Sequence, residues 1–239
     1  MNTKRSTVIA TICARGGSKG LPRKNVLQFG RKPLIAHTIA QALACPSIAE
    51  VYVSTDDEEI AEVAAHYGAQ VPYRRPSELA TDTASKIPAI EHLVRHLESY
   101  GRRIETVVDL QPTSPLRASW DISKAIDLAH DAALVVSVTE PSHSPYYTLV
   151  EQSMDGVLHL SKRAAFVRRQ DAPQVWGLNG SIYVWRRDAL AEAAKHGFWS
   201  VEARPYVMPR NRSVDIDTAE DFELAQWLYM KQQTQQAPI

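Results

Sequence analysis

Apolar runs of strand length alternate with helix-period segments along most of the 239-residue chain, and this alternation most restricts its fold. Val8 to Cys13, Val51 to Val53, Val107 to Leu110 and Leu134 to Val138 read as strands. Pro33 opens a helical pattern carried by Leu34, Ile35, Ile39, Ala42 and Leu43. Thr55 and Glu58 form a capping box for a helix running through Tyr67, where Gly68 stops it. Thr83 to Tyr100 reads as the next helix, with Ile87, Ile90, Val94 and Leu97 on one face and Pro88 tolerated only in the first turn. Ser119 to His130 reads as another. Such alternation predicts an α/β fold with a mostly parallel sheet and helices on both faces.

The pattern breaks at about 140–178, where prolines and aromatics surround Arg168-Arg169-Gln170-Asp171. This stretch reads as an extended arm or hairpin inserted into a single domain, residues 1–239. Regular structure resumes at Ser181 to Trp185, followed by a short helix from about Asp188 to His196 and a strand-like Tyr206 to Met208. Thr218 and Asp221 predict the cap of a last helix, with Leu224, Ala225 and Leu228 facing inward. The polar tail, Gln232 to Ile239, predicts disorder.

Charge excludes some function classes. Lys plus Arg number 27, and so do Asp plus Glu, so the basic excess of a general nucleic-acid binder is missing. No apolar run approaches membrane-spanning length and the polar N-terminus lacks a signal-peptide core, which predicts a soluble, cytoplasmic protein with no membrane partner. Cys13 and Cys45 support neither a disulfide framework nor a zinc site, and the eight histidines show no H-E-x-x-H spacing. There is no G-x-S-x-G elbow, so an α/β-hydrolase is not indicated.

The stretch richest in chemistry is Ala14 to Asn25, between the first strand and the first helix, where α/β folds bind ligands. Gly16, Gly17 and Gly20 permit close backbone approach and positive φ. Arg15, Lys19, Arg23 and Lys24 put four cations within ten residues. Bare amides plus cations suit a polyphosphate; the competing reading is a solvated basic turn. Neither G-x-x-x-x-G-K-[ST] nor G-x-G-x-x-G is present.

A second candidate is Val214 to Thr218, whose alternation points Asp215 and Asp217 to one side. Two neighbouring carboxylates suit Mg²⁺; alternatively they form an acidic turn that starts the last helix. Gln111 to Arg117 is a rigid polar turn at a strand end, where Gln111 can read a sugar hydroxyl or a base edge. Arg168 and Arg169 can receive a carboxylate or phosphate, or lie in solvent. Arg75 and the segment to Ser85 lead into a helix start that reads a base edge or merely caps the helix.

Together these segments resemble the acylneuraminate cytidylyltransferases. The resemblance rests on A-R-G-G-S-K-G-L-P-R-K-N at 14–25, V-S-T-D at 53–56, R-P-S-E-L-A-T-D-T-A-S at 75–85, L-Q-P-T-S-P-L-R at 110–117, R-R-Q-D at 168–171, N-G-S-I-Y at 179–183 and S-V-D-I-D-T at 213–218. It implies a Rossmann-like α/β fold with an inserted dimerisation arm at about 140–178. It also implies that CTP and a nonulosonic acid give a CMP-sugar and pyrophosphate, with Mg²⁺ as cofactor and a homodimer as the working form. On this resemblance Arg15, Ser18, Lys19, Lys24 and Asn25 hold the phosphates, and Arg75, Ala84 and Ser85 surround the cytidine. Gln111, Arg168 and Arg169 meet the sugar, Phe198 and Trp199 pack near its acyl group, and Asp215 and Asp217 bind the metal or orient the hydroxyl. Lys86 and Tyr147 depart from the pattern: many bacterial relatives carry serine at the first position, and a sialic acid form carries lysine at the second. Another sugar nucleotidyltransferase, or a dinucleotide-binding oxidoreductase, stays open from the residues alone.

Overall fold

The computed structural model describes residues 7–17, 20–163, 166 and 168–236. Ten strands are described: β1 (Val8–Cys13), β2 (Gln28–Phe29), β3 (Lys32–Pro33), β4 (Glu50–Ser54), β5 (Thr106–Leu110), β6 (Leu134–Thr139), β7 (Val150–Gln152), β8 (Leu158–Leu160), β9 (Gly177–Arg186) and β10 (Ala203–Val207). Six α-helices accompany them: α1 (Leu34–Leu43), α2 (Glu58–His66), α3 (Lys86–Ser99), α4 (Ser119–Leu128), α5 (Arg187–His196) and α6 (Ala219–Gln236). The main sheet has the order β10-β6-β9-β5-β1-β4. β1 pairs in parallel with β4 and β5, and β10 with β6, whereas β9 runs antiparallel between β5 and β6. The strand after the arm therefore returns against its neighbours, because no crossover helix intervenes between β6 and β9.

The two sheet faces follow the period-2 alternation of the strands. Ala10, Ile12, Val108 and Leu110 pack against Ile35 and Ile39 of α1, Ile60 of α2 and Ile122 of α4. Ile9, Val107 and Trp185 face the other way, against Ile90, Leu93 and Val94 of α3 and Leu190 of α5. Both faces are covered, which explains why β1 reads as a nearly continuous apolar run. A smaller cluster seats α6 through Ala225, with Phe29, Leu34, Leu116 and Ile216.

Several boundaries differ from the expectations. Asp57, not Thr55, caps α2, its carboxylate accepting from the Ile60 N–H at 3.0 Å. Thr55 Oγ1 instead accepts from the Asp57 N–H, which sets up that cap. α3 begins at Lys86 rather than Thr83, leaving Thr83 to Ser85 as a turn beside the sheet edge. Thr218 and Asp221 do form the capping box of α6, but Leu224 points outward and Phe222 and Tyr229 turn inward in its place. α6 continues to Gln236, so the polar residues 232–236 are helical, and residues 237–239 lie outside the described set. Within the 140–178 arm, β7 and β8 form a separate antiparallel hairpin. Among the described residues no helix is long and apolar enough to cross a membrane.

Candidate functional site

The C-terminal ends of β1, β4 and β5 lie along one sheet edge, and the reversed direction of β9 brings its first residues there too. Ligands of open α/β sheets bind at such an edge. Two neighbouring cavities open at it. The first, about 260 Å³, is walled by Arg15, Lys24, Asn25, Ala84, Ser85 and Gln111, with Arg75 and Thr113 behind them. The second, about 330 Å³, lies among Ile87, Ile90, Tyr183, Trp185, Phe198 and Trp199. Ser85 and Lys86 line both. A larger hollow of about 470 Å³ sits between α1, the turn before α4 and α6; of the candidate segments only the end of the turn after β5, Pro115 to Arg117, lines it.

Arg15 and Lys24 both line the first cavity. The Arg15 guanidinium donates to the Thr81 carbonyl at 3.0 Å and pairs with Asp82 at 2.9 Å. Lys24 Nζ donates to the Ile216 carbonyl at 2.7 Å and pairs with Asp217 Oδ1 at 2.9 Å. The loop after β1 is thereby tied to the acid-bearing segment almost two hundred residues away. Asn25 Nδ2 donates to the Arg15 carbonyl at 3.2 Å, and its buried Oδ1 has no partner among the described residues. An open acceptor suits a hydroxyl or an amine rather than a phosphate. Ser18 and Lys19 lie outside the described residues.

Two expectations about this loop are corrected. None of Gly16, Gly17 and Gly20 takes positive φ; the residue that does is Arg23, at 58°. The close approaches are to the chain itself: a Cβ on Gly20 would meet the Asp217 carbonyl oxygen, and one on Gly16 the Asp57 carboxylate. Arg23 is also turned away from the cavity, paired with Asp57 and Glu59. Its cation fastens the loop to the start of α2.

Arg75 is buried, and its guanidinium donates to the carbonyls of Ala14 and Ser54, bracing the ends of β1 and β4 behind the cavity. Arg117 is buried too, and among the described residues it forms no ion pair with an acid. It donates to Thr38, Gln41, Ser181 and the Gln111 carbonyl, which locks the turn after β5 to the start of β9. Burial pulls its pKa down to about 9.

Asp215 is the most constrained acid of the site. Its Oδ1 accepts from Thr113 Oγ1 at 2.5 Å and its Oδ2 from Gln111 Nε2 at 3.0 Å. Burial pushes its pKa up and the Asp217 charge adds to that; Thr113, Lys24 and Gln111 oppose them without cancelling the rise. Gly180, at φ 70°, makes room here, because a Cβ on it would lie 3.4 Å from Asp215 Oδ2 and 3.3 Å from Gln111 Oε1. Asp217 is the open member of the pair, with 72% of its side chain exposed. Two mutually repelling carboxylates, one accessible, fit a hard divalent cation. Among the described residues no group of three or more His, Cys, Asp or Glu gathers to hold a metal, so a cation here would rely on this pair with oxygens from the ligand and water. Cys13 lines the first cavity, but burial first and Asp109 second raise its thiol to about 11, so it offers no nucleophile.

The second cavity is aromatic. Phe198 meets Tyr183, Trp185 and Trp199 edge to face, with centroids 6.0, 5.7 and 4.7 Å away. Arg168 does not reach either cavity wall; its guanidinium pairs with Asp171 at 2.8 and 2.9 Å on the arm. The Arg169 side chain lies outside the described residues. Four participants were not marked in the sequence as site residues: Thr113, Gly180, and the pair Lys86–Asp109, which is 2.5 Å apart. Thr113 was visible as part of a rigid turn after a strand. The Lys86–Asp109 contact had no local signal.

A basic cavity, an adjoining aromatic cavity and an acid pair bonded to Gln111, Thr113 and Lys24 of the first cavity's wall, on a mostly parallel sheet without a dinucleotide fingerprint, define a nucleotidyltransferase. The family model described as Cytidylyltransferase matches residues 9–233, and the chain belongs to that family. It is 36% identical over 224 residues to the CMP-N,N'-diacetyllegionaminic acid synthase of Campylobacter jejuni, covering 92% of this chain and 94% of the relative. It is 32% identical to the pseudaminic acid cytidylyltransferase of Campylobacter jejuni, covering 92% and 95%. Among solved structures, CMP:2-keto-3-deoxy-manno-octonic acid synthetase complexed with CTP superposes with a TM-score of 0.73 at 18% identity, over 95% of this chain and all of that one, a likeness of fold.

Proposed function

We propose that this enzyme joins CTP to a nonulosonic acid, releasing pyrophosphate and forming the CMP-sugar. The observation that carries the reading is the junction of a cation-walled cavity with an aromatic one, beside a carboxylate whose pKa is raised. The first cavity suits a nucleotide and the second an acylated sugar. The names of the relatives supply the base and the sugar class.

In this reaction the anomeric hydroxyl attacks the α-phosphorus and pyrophosphate leaves in line, with no covalent enzyme intermediate. Arg15 and Lys24 offset charge growing on the leaving group. Thr113 and Gln111 hold Asp215 by both oxygens, so its carboxylate is oriented to take the hydroxyl proton. Asp217, with Asp215, would hold Mg²⁺. When bound, that ion supplies Lewis-acid polarisation of the phosphates, and Mg²⁺ commonly takes only one or two protein carboxylates beside phosphates and water. Phe198 and Trp199 exclude water around the acyl group, and Gln111 also faces the sugar.

The working form in this reading is a cytoplasmic homodimer, with the 140–178 arm at its interface. Leu149, Val150, Met154, Val157, Leu158 and Leu160 of the hairpin are all exposed, and an isolated two-stranded hairpin is marginally stable in water. Covering by a second copy, and the seating of Arg168 and Arg169 near the partner's sugar, follow from this reading. The test is pyrophosphate release with CTP, UTP, ATP and GTP against a panel of legionaminic, pseudaminic and N-acetylneuraminic acids. CTP with at least one of these acids is expected to be turned over; preference for another nucleotide would overturn the assignment.

A further inference from the structure

Lys86 has no task in the mechanism above, yet its position is an expensive one. It begins α3, where the helix dipole disfavours a cation. Its ammonium lies 2.5 Å from Asp109 Oδ2, 3.5 Å from Gln111 Oε1 and 5.5 Å from the Tyr183 ring centroid. Asp109 is fully buried, and its other oxygen accepts from Thr11 at 3.2 Å. A buried carboxylate without a facing cation would carry an uncompensated desolvation cost, and Lys86 supplies that cation. The Lys86 side chain itself keeps 31% of its surface accessible. It lines both cavities, and among the described residues it is the one cation on the wall of the aromatic cavity. Arg15 and Lys24 already face the nucleotide side.

We propose that Lys86 is a specificity-determining residue that seats the carboxylate of the sugar acid at the boundary of the two cavities. The inference rests on the proposed reaction. In a nonulosonic acid the carboxylate is attached to the carbon that bears the attacking hydroxyl. That carbon must stand at the boundary when the hydroxyl reaches the α-phosphorus. The carboxylate then comes within a few bonds of a phosphate, and two anions at that range repel. A cation between them, facing the sugar side, removes the repulsion and orients the hydroxyl. An ammonium has three donors; Asp109 takes one and the contact to Gln111 is long, so donors remain for the acid. Asp109 is the positioning residue that holds Lys86 at this height.

The experiment is steady-state pyrophosphate release by the wild type, Lys86→Arg, Lys86→Met and the double variant Lys86→Met/Asp109→Asn. The double variant leaves no unpaired buried carboxylate and guards against misfolding. Each is assayed with an acid that the wild type accepts and with that acid's C1 methyl ester. Lys86→Met and the double variant are expected to raise KM for the acid by about tenfold or more, with KM for CTP changed by less than about twofold. The preference for acid over ester is expected to fall by about tenfold, and Lys86→Arg is expected to retain part of it. A double variant that keeps the wild-type acid KM and acid-over-ester preference overturns the proposal. So does an equal rise of both KM values, which would make Lys86 a nucleotide or scaffold residue. In either case an active wild type leaves the proposed function standing. A wild type that binds CTP but turns over no acid in the panel overturns both.

Discussion

Replacing Gly20 by alanine tests whether the basic loop and the acid pair form one site. The Cβ would lie 2.3 Å from the Asp217 carbonyl oxygen, where ordinary contact begins at 3.4 Å. One backbone must therefore yield by about 1 Å. The Asp217 side is anchored: the Ile216 N–H donates to the Thr113 carbonyl at 3.0 Å, and the Asp217 N–H donates to Asp221 at 3.1 Å. The loop side carries Lys24, which is bonded to Ile216 and Asp217. Whichever side moves, the Lys24–Asp217 geometry changes by a comparable amount, and a misplacement of about 1 Å in an active site costs on the order of 100-fold in rate. Gly20→Ala is thus expected to lower kcat for pyrophosphate release by about 100-fold while the unfolding midpoint stays within a few degrees. Gly17→Ala is the control, because its Cβ meets nothing within 4 Å, and its kcat is expected to stay within about threefold of wild type. A Gly20→Ala enzyme within that same range, or equal losses for the two variants, would refute the coupling.

The acid limb of kcat/KM should lie above the ordinary aspartate range, since burial and Asp217 raise Asp215, and Asp217→Asn should move it to lower pH; an unmoved limb refutes Asp215 as the proton acceptor. The sign for stability is opposite to that for activity. A raised folded pKa contributes stability that is present below the unfolded value and lost as pH rises through the folded one, so Asp215→Asn should unfold at a higher temperature than wild type at neutral pH, read by calorimetry. Arg187→Met strips the buried Glu91 and the partly buried Glu98 of contacts at 2.8 and 2.7 Å, and urea unfolding should show a loss of about 3 kcal/mol with kcat per folded molecule unchanged. Replacing residues 150–160 by a short turn should give a monomer by light scattering with lost turnover; a fully active monomer would remove the arm from the proposed interface.

Much of the site was legible because its pieces follow strands. The loop at 14–25 and the turn after Leu110 stand where a run of apolar residues ends, and the sheet edge gathers such endings; the acid pair at 215 and 217 was legible from its own alternation instead. What the pattern misassigned were partnerships. Arg23 looks like Lys24 in sequence, yet the positive φ at Arg23 sends its guanidinium to Asp57 while Lys24 turns to Asp217. Arg168 looks available and is held by Asp171 three residues on. Asp109 reads as a polar interruption in a strand, and only packing reveals that Thr11, 98 residues away, and Lys86 satisfy it.

The sequence by itself determined the strand and helix order, the two-faced core and the chemistry of the loops, because period and turn chemistry are local consequences of burial and backbone freedom. Tertiary structure alone decided that β9 runs antiparallel, bringing Asn179 to Tyr183 to the edge with Gln111 and Asp215. It alone decided which cations face the cavities and which only hold the scaffold. Those choices depend on contacts between residues far apart in the chain, where a charge goes to whichever partner offsets its desolvation, and no local periodicity encodes that partner.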